Sequence, residues 1–327
     1  MQNPIPITSV SMIAYNACGY IGQAIGGVLS QKTNFPFELV IGDDGSTDGT
    51  RQICEEYAAR YPDIIRLLPP HPNLGIAANT QRTMGSSRGK YIAVCDGDDV
   101  WTDPFKLARQ VAFLEEHPDY GVVYTDVETI SENHAVIVDE EQASIREMYA
   151  TGDVFFKLLE ANFINNSTAM FRAELIRDHI VYPDRCYQIP DYIRWLHIAA
   201  QSRVHFMPYK STYYRKHAAG LSSNTSNPIQ QGNRKVFYRS LNHIFPRFDA
   251  ANRRRLTRAE NLLLFRRICS LILRGPSIPM QRLRLLRLLP KYYPGLSDLV
   301  RISLKKVVAY FHFFTLISQR VEFEYVA

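Results

Sequence analysis

Over residues 5–126 short runs rich in β-branched and aromatic residues alternate with stretches of helical periodicity, and no other feature limits the possible folds as much. Residues 5–15, 37–41, 64–68, 90–95 and 121–125 read as strands. Between them, residues 20–31, 49–61, 76–87 and 105–117 read as helices. Strands joined by helical crossovers run mainly parallel, and the helices then cover both faces of the sheet. The expected class is therefore α/β, with ligands bound beyond the carboxyl ends of the strands. The sharpest polar clusters fall at those ends: Asp43-Asp44 after the second strand and Asp96-Gly97-Asp98-Asp99 after the fourth.

Carboxylates packed this closely repel and raise one another's pKa, a penalty that a divalent cation removes. Mg²⁺ or Mn²⁺ prefers oxygen ligands and often takes only one or two carboxylates, with phosphate oxygens and water completing the shell. Gly97 lets the backbone approach closely. The plainer use of the same residues is a solvated acidic turn that caps the helix starting near Pro104. At the other strand end, Asp43 or Asp44 can accept hydrogen bonds from a nucleobase or ribose. The plainer use there is a turn, with Asp44, Ser46, Thr47 or Asp48 capping the next helix. No G-x-G-x-x-G follows the first strand and no Walker loop is present, which argues against a dinucleotide or P-loop site.

Beyond the alternating region, residues 128–150 are polar and read as a hairpin or insertion. A helix at 154–162, a strand at 167–171, a helix at 193–201 and strands at 204–207 and 212–214 follow. From residue 227 only helical patterns remain, broken at Gly275-Pro276 and at 290–295. Charge divides the same way: residues 1–228 hold 19 Lys and Arg against 27 Asp and Glu, and residues 229–327 hold 19 against 5. Five scattered cysteines without a C-x-x-C pair predict reduced thiols and no zinc site, as in a cytoplasmic protein. Residues 1–8 lack the basic and apolar segments of a signal peptide, so none is expected.

The acidic part suits a metal site and the basic part an anionic surface. Residues 262–269 and 283–289 mix Leu or Ile with Arg at helical spacing, and the apolar run 307–318 is too short to span a bilayer. Such helices suit peripheral binding to an anionic membrane, or a bundle with arginines outward. Nucleic acid is not an expected partner, because no recognised module accompanies the basic residues.

Taken in order, VSMIAYN at 10–16, ELVIGDDGSTDGT at 38–50, Asn73-Leu74-Gly75 with Asn79, and GKYIAVCDGDD at 89–99 closely resemble family-2 glycosyltransferases of the GT-A fold. The resemblance covers roughly residues 5–220. It implies a nucleotide-sugar donor, UDP-linked by preference, with Tyr15 stacking near the base and Asp44, with Asp43, contacting base or ribose. Asp96, Asp98 and Asp99 match the family's D-x-D motif, with Asp98 or Asp99 as direct ligand of Mn²⁺ or Mg²⁺. Asn79 belongs to the donor site, although Ala78 stands where many relatives carry Arg; Arg82 lies one turn on. Inversion needs a general base on the acceptor side. The segment IPDYIRWL at 189–196 fits the family's acidic helix start, making Asp191 that base, although Pro190 departs from the commoner acidic pair or Gly-Asp. YYRKH at 213–217 resembles a Tyr-Arg-x-His segment that would bring Arg215 to the leaving phosphates and His217 to the metal. Asn165, Asn166 and Thr168 line the sugar pocket or simply form a turn.

The implied domains are a GT-A catalytic unit at 1–226, with a donor half at 1–126 and an acceptor half at 127–226, and a basic, all-helical extension at 227–327. The implied activity is transfer to a hydroxyl of a glycan or polyprenyl-linked acceptor in surface polysaccharide synthesis, on the cytoplasmic face of the membrane. Two alternatives stay open: a sugar nucleotidyltransferase, and a catalytically silent nucleotide-binding scaffold.

Overall fold

The structure, a computed structural model, describes residues 5–176, 190–218 and 220. The expected helical extension at 227–327 lies outside the described residues. In chain order the elements are β1 (Thr8–Ala14), α1 (Ile21–Leu29), β2 (Phe37–Asp43), α2 (Thr50–Arg60), β3 (Ile65–Leu67), α3 (Ile76–Gly85), β4 (Tyr91–Val94), β5 (Val100–Trp101), α4 (Lys106–Glu116) and β6 (Tyr120–Ser131). There follow α5 (Glu140–Arg146), α6 (Phe155–Glu160), a 3₁₀ turn (Asn166–Thr168), β7 (Met170–Arg172), α7 (Pro190–Ala199) and β8 (Arg203–Lys216).

One eight-stranded sheet has the order β3-β2-β1-β4-β7-β6-β8-β5. The first four strands are parallel, as the helical crossovers require. Beyond them the sheet is mixed: β7 runs antiparallel to both β4 and β6, β6 and β8 are parallel, and β5 is antiparallel to β8. The reversal at β7 has a local cause. The 3₁₀ turn meets β4 at its carboxyl end, where Ser167 Oγ accepts the Asp96 N–H at 3.0 Å, so the chain can only run back down beside β4.

Several sequence-based boundaries change. The fifth predicted strand extends to Ser131, and the strands predicted at 204–207 and 212–214 are one strand, β8, whose ladder with β6 is irregular between Thr125 and Val127. The polar stretch 128–150 contains the end of β6 and the helix α5. Neither Ser46 nor Thr47 caps α2. The N-cap is Gly49, at φ 99°, and Asp48 next to it accepts the Thr50 N–H at 3.0 Å and the Thr50 hydroxyl at 2.6 Å. Asp48 is one of the caps expected from the sequence, and Ser46 instead accepts the Asn16 N–H.

The core lies where helices pack on the four parallel strands. Ile21, Ala24, Ile25 and Val28 recur at the spacing of one helical face and are buried on α1 against Val10, Met12, Leu39 and Ile41. Each such aliphatic side chain contributes about 1.5–3 kcal/mol when removed from water. That core fixes the ends of β1, β2 and β4 side by side. Among the described residues no helix is long and apolar enough to cross a membrane.

Candidate functional site

The ends of β1 and β2 are stitched together. Asn16 adopts a left-handed φ of 49°, its N–H donates to Ser46 Oγ at 3.0 Å, and its Oδ1 accepts the Thr47 N–H at 2.9 Å. Just before this knot Tyr15 is 53% exposed, a large flat ring left open to solvent. Asp43 and Asp44 are both buried, but differently engaged. The Asp44 carboxylate accepts the N–H groups of Leu74 and Gly75, each at 2.9 Å, and so holds the loop that leads into α3. Asp43 Oδ1 has no hydrogen-bond partner among the described residues. Asn79 is buried; its amide donates to the Gly42 carbonyl at 2.7 Å and accepts from Arg82 at 3.1 Å. Arg82 also reaches the Asp43 carbonyl at 3.2 Å, so the guanidinium one turn after Ala78 does arrive at this strand end.

The acidic cluster sits at the end of β4, and its three carboxylates have three different surroundings. Asp96 accepts a forked pair of hydrogen bonds from the Asn166 amide, both at 2.9 Å. Burial and the neighbouring charge of Asp98 push its carboxyl up to about 7, with Asn166 and Arg194 pulling the other way and Asp191 adding to the rise. Asp99 is buried, and its Oδ1 accepts the Arg215 N–H at 3.0 Å. Burial, with the charges of Asp98 and Asp96, holds it well above the usual carboxylate range. Asp98 stands on a half-exposed edge, where its Oδ2 meets Nε2 of the largely buried His217 at 3.1 Å. The hydrogen bond to Asp98 raises the His217 pKa. Gly97 is where the backbone turns tightly: a Cβ there would lie 2.9 Å from the Ile13 carbonyl oxygen.

Arg215 is placed unlike the expectation for it. Its guanidinium is buried and donates to the Asp98 carbonyl at 2.9 Å, the Glu132 carbonyl at 3.2 Å and Gln23 Oε1 at 2.8 Å, and it lies over the Tyr20 ring. These bonds fix the backbone under the cluster. Asn165 and Thr168 have turn roles: Asn165 Oδ1 accepts the Ser167 N–H, and the Thr168 hydroxyl donates to the Asn165 carbonyl.

On the far side, Asp191 lies in the first turn of α7 and accepts a hydrogen bond from Asn162 at 2.9 Å. Burial raises its pKa, against the nearby charge of Arg194. Its helix is tied to Asp96 by side chains: Arg194 of α7 donates to Asn166, whose amide donates to Asp96. Asn162 and Arg194 were not singled out from the sequence. The available signal was spacing: Arg194 follows Asp191 by three positions, on the same helix face.

Among the described residues no group of three His, Cys, Asp or Glu converges as a metal cage. One carboxylate oxygen and one imidazole nitrogen on an open edge, Asp98 with His217, do fit a Mg²⁺ or Mn²⁺ ion whose other ligands are phosphate oxygens and water.

Residues 9–180, more than half of the chain, match the family description Glycosyl transferase family 2. The chain is 37% identical over 213 residues to the uncharacterized protein Rv1520 of Mycobacterium tuberculosis, covering 65% of this chain and 60% of that protein's length. Its fold is similar to that of Staphylococcus aureus TarS 1-349 in complex with UDP-GlcNAc, with a TM-score of 0.60 at 19% identity over 79% of this chain and 71% of that one. It is also similar to the mannosyltransferase PcManGT of Pyrobaculum calidifontis in complex with GDP-Man and Mn²⁺, with a TM-score of 0.54 at 18% identity over 93% of this chain and 86% of that one. The strand order, the acidic cluster after β4 and the family match agree, and the chain belongs to glycosyl transferase family 2, with a GT-A fold.

Proposed function

We propose that this protein is a metal-dependent, inverting glycosyltransferase that moves a sugar from a UDP-linked donor to a hydroxyl of a glycan or polyprenyl-linked acceptor. One observation supports the reading: the Asp98–His217 pair follows β4 two residues from Asp96, and Asp96 is tied through Asn166 and Arg194 to the helix α7 that carries Asp191. A divalent cation bound at that pair supplies positive charge to the departing diphosphate. The exposed Tyr15 ring offers a face for the base, and Asp43 and Asp44 an acidic floor for base or ribose. Asp96 and Asn79 support the donor side, and Asp99 and Arg215 hold the cluster's backbone in place. Asp191 takes the proton from the acceptor hydroxyl as its oxygen attacks the anomeric carbon, and the bond from that carbon to the phosphate oxygen breaks on the opposite side. The acceptor belongs to surface polysaccharide synthesis at the cytoplasmic face of the membrane.

The test is a panel of nucleotide-sugars with Mn²⁺ or Mg²⁺, reading thermal stabilisation and slow donor hydrolysis. A UDP-sugar is expected to raise the Tm only when metal is present, and to be hydrolysed. Absence of metal-dependent stabilisation by every nucleotide-sugar sinks the proposal, and stabilisation without any turnover turns the protein into a binding scaffold.

A further inference from the structure

The helix that carries Asp191 is held to the segment before β7 by two parallel rungs. Asn162 donates to Asp191, and four positions later in that segment Asn166 accepts from Arg194, three positions after Asp191 on α7. The second rung does not stop there, because the Asn166 amide also forks onto both oxygens of Asp96. An unbroken chain of side chains therefore runs from α7 to the end of β4.

Arg194 is 1% exposed, with its guanidinium over the Trp195 ring at 4.5 Å and against Met84 Sδ at 3.1 Å. Burying a guanidinium is costly unless its charge is used. Here two partly exposed carboxylates, Asp96 and Asp191, feel that charge. Arg194 also decides which way the Asn166 amide points. A guanidinium offers only donors, so it must meet the amide oxygen, which leaves the NH₂ for the acceptor-only carboxylate of Asp96. Arg194 and Asp96 thus hold the amide from its two ends, and without Arg194 only Asp96 opposes a flip that would set the amide oxygen against it.

We propose that Arg194, acting through Asn166, is a positioning residue that couples the donor-side carboxylate Asp96 to the acceptor-side carboxylate Asp191. This rests on the reading of the site as a glycosyltransferase centre. The coupling makes the two halves of the site move together, so that Asp191 is set for proton transfer when Asp96 is held.

The test is a double-mutant cycle on the full chain, reading UDP-sugar KM and kcat for transfer with Mn²⁺. Replacing Asn162 with Leu cuts only the first rung and is expected to lower kcat with donor KM unchanged. Replacing Asn166 with Leu is expected to raise donor KM about 10-fold, the effect of losing one charged hydrogen bond. R194M is expected to change both parameters, and R194M combined with Asn166→Leu is expected to raise donor KM no further than Asn166→Leu alone. R194K, which keeps a donor and the charge, is expected to recover most of the donor affinity. If R194M does not fold, R194Q, which removes the charge, takes its place in the cycle with Asn166→Leu. Additive effects on KM, or wild-type kinetics in R194M, overturn the coupling while leaving the transferase reading intact. A wild-type protein that binds no nucleotide-sugar overturns both.

Discussion

His217 Nε2 stands 3.1 Å from Asp98 Oδ2 across 119 positions of sequence. The pair is set by a two-residue ladder: Val100 and Trp101 of β5 pair with Tyr213 and Thr212 of β8, so the residues just before β5 and just after β8 arrive together. Replacing Asp98 with Asn or His217 with Ala is expected to abolish the metal-dependent rise in Tm caused by UDP. A ligand at 100 times its Kd stabilises by about 2.7 kcal/mol, and that increment is what disappears. The metal-free stability of Asp98→Asn should stay within about 1 kcal/mol of wild type, since that side chain lies at a half-exposed edge, whereas His217→Ala also loses the packing of a largely buried ring on Tyr20. Calorimetry with and without Mn²⁺ checks both; an undiminished metal effect in either variant removes that residue from the metal's shell.

Asp191→Asn is expected to lower transfer about 10²–10⁴-fold, the usual worth of a general base. UDP-sugar binding, measured by thermal shift, should persist. Burial raises the Asp191 pKa in the folded protein, and a base acts only when deprotonated. The wild-type kcat/KM should therefore fall with decreasing pH at a midpoint above the ordinary Asp value of about 3.9. The same shift sets a stability sign: above that midpoint the folded state carries a buried charge that the unfolded chain holds at lower cost. Asp191→Asn should accordingly raise the Tm at neutral pH, and a lowered Tm would contradict the burial argument.

Much of this site is legible in the sequence because its residues sit where strands end. Asp43-Asp44 and Asp96 to Asp99 could be placed from apolar runs alone, since an alternating α/β chain puts every such end on one rim. What resisted reading was partnership. That Asp44 accepts the amides of Leu74 and Gly75, or that Arg215 turns inward to the Asp98 carbonyl, depends on loop paths that no periodicity encodes. The short strand β5 was missed, and the strand predicted at 167–171 came without its antiparallel direction, for a related reason: at two and three residues β5 and β7 are defined by their neighbours in the sheet and not by their own composition.

Glu38 lies at the amino end of β2, the opposite end of the strand from Asp43. It is buried on β2, yet accepts from Ser9 Oγ and from the Arg88 guanidinium at 2.8 Å, with Arg66 alongside. Burial alone would raise its pKa, but those hydrogen bonds and the charge of Arg66 outweigh it and hold the carboxyl below its ordinary value. For an acid with a lowered folded pKa, the stability it contributes is present above its unfolded pKa and lost as pH falls through the folded one. Glu38→Gln should cost about 1–2 kcal/mol at pH 7, discounted because both arginines are partly exposed. The deficit should vanish under acid, and urea titrations at pH 7 and pH 3 decide it; an equal deficit at both would assign the loss to packing.

Lys106 offers the opposite sign. It opens α4 fully buried, with Nζ at 2.9 Å from Gln110 Oε1 and 4.1 Å above the Trp101 ring. Gln110 in turn holds the Thr168 carbonyl, and Trp101 holds that of Ser167, so this buried group underpins the turn that presents Asn166 to Asp96. Burial pulls the Lys106 pKa down to about 7, against the smaller opposing effects of Cys95 and Asp103. Between that value and the ordinary lysine value of about 10.4, the unfolded chain binds a proton that the folded protein has released. Stability therefore rises with pH across this window, and below it the protein carries the full cost of a buried ammonium. Lys106→Met removes the charge at similar volume but leaves Gln110 Oε1 without its donor, a loss of about 1–3 kcal/mol that offsets part of the gain. The variant should be more stable than wild type by about 1–3 kcal/mol at pH 6, with the difference shrinking towards pH 9. Parallel pH profiles of urea unfolding give the difference directly, and a gap that stays constant from pH 6 to pH 9 would show that Lys106 keeps its charge in the core.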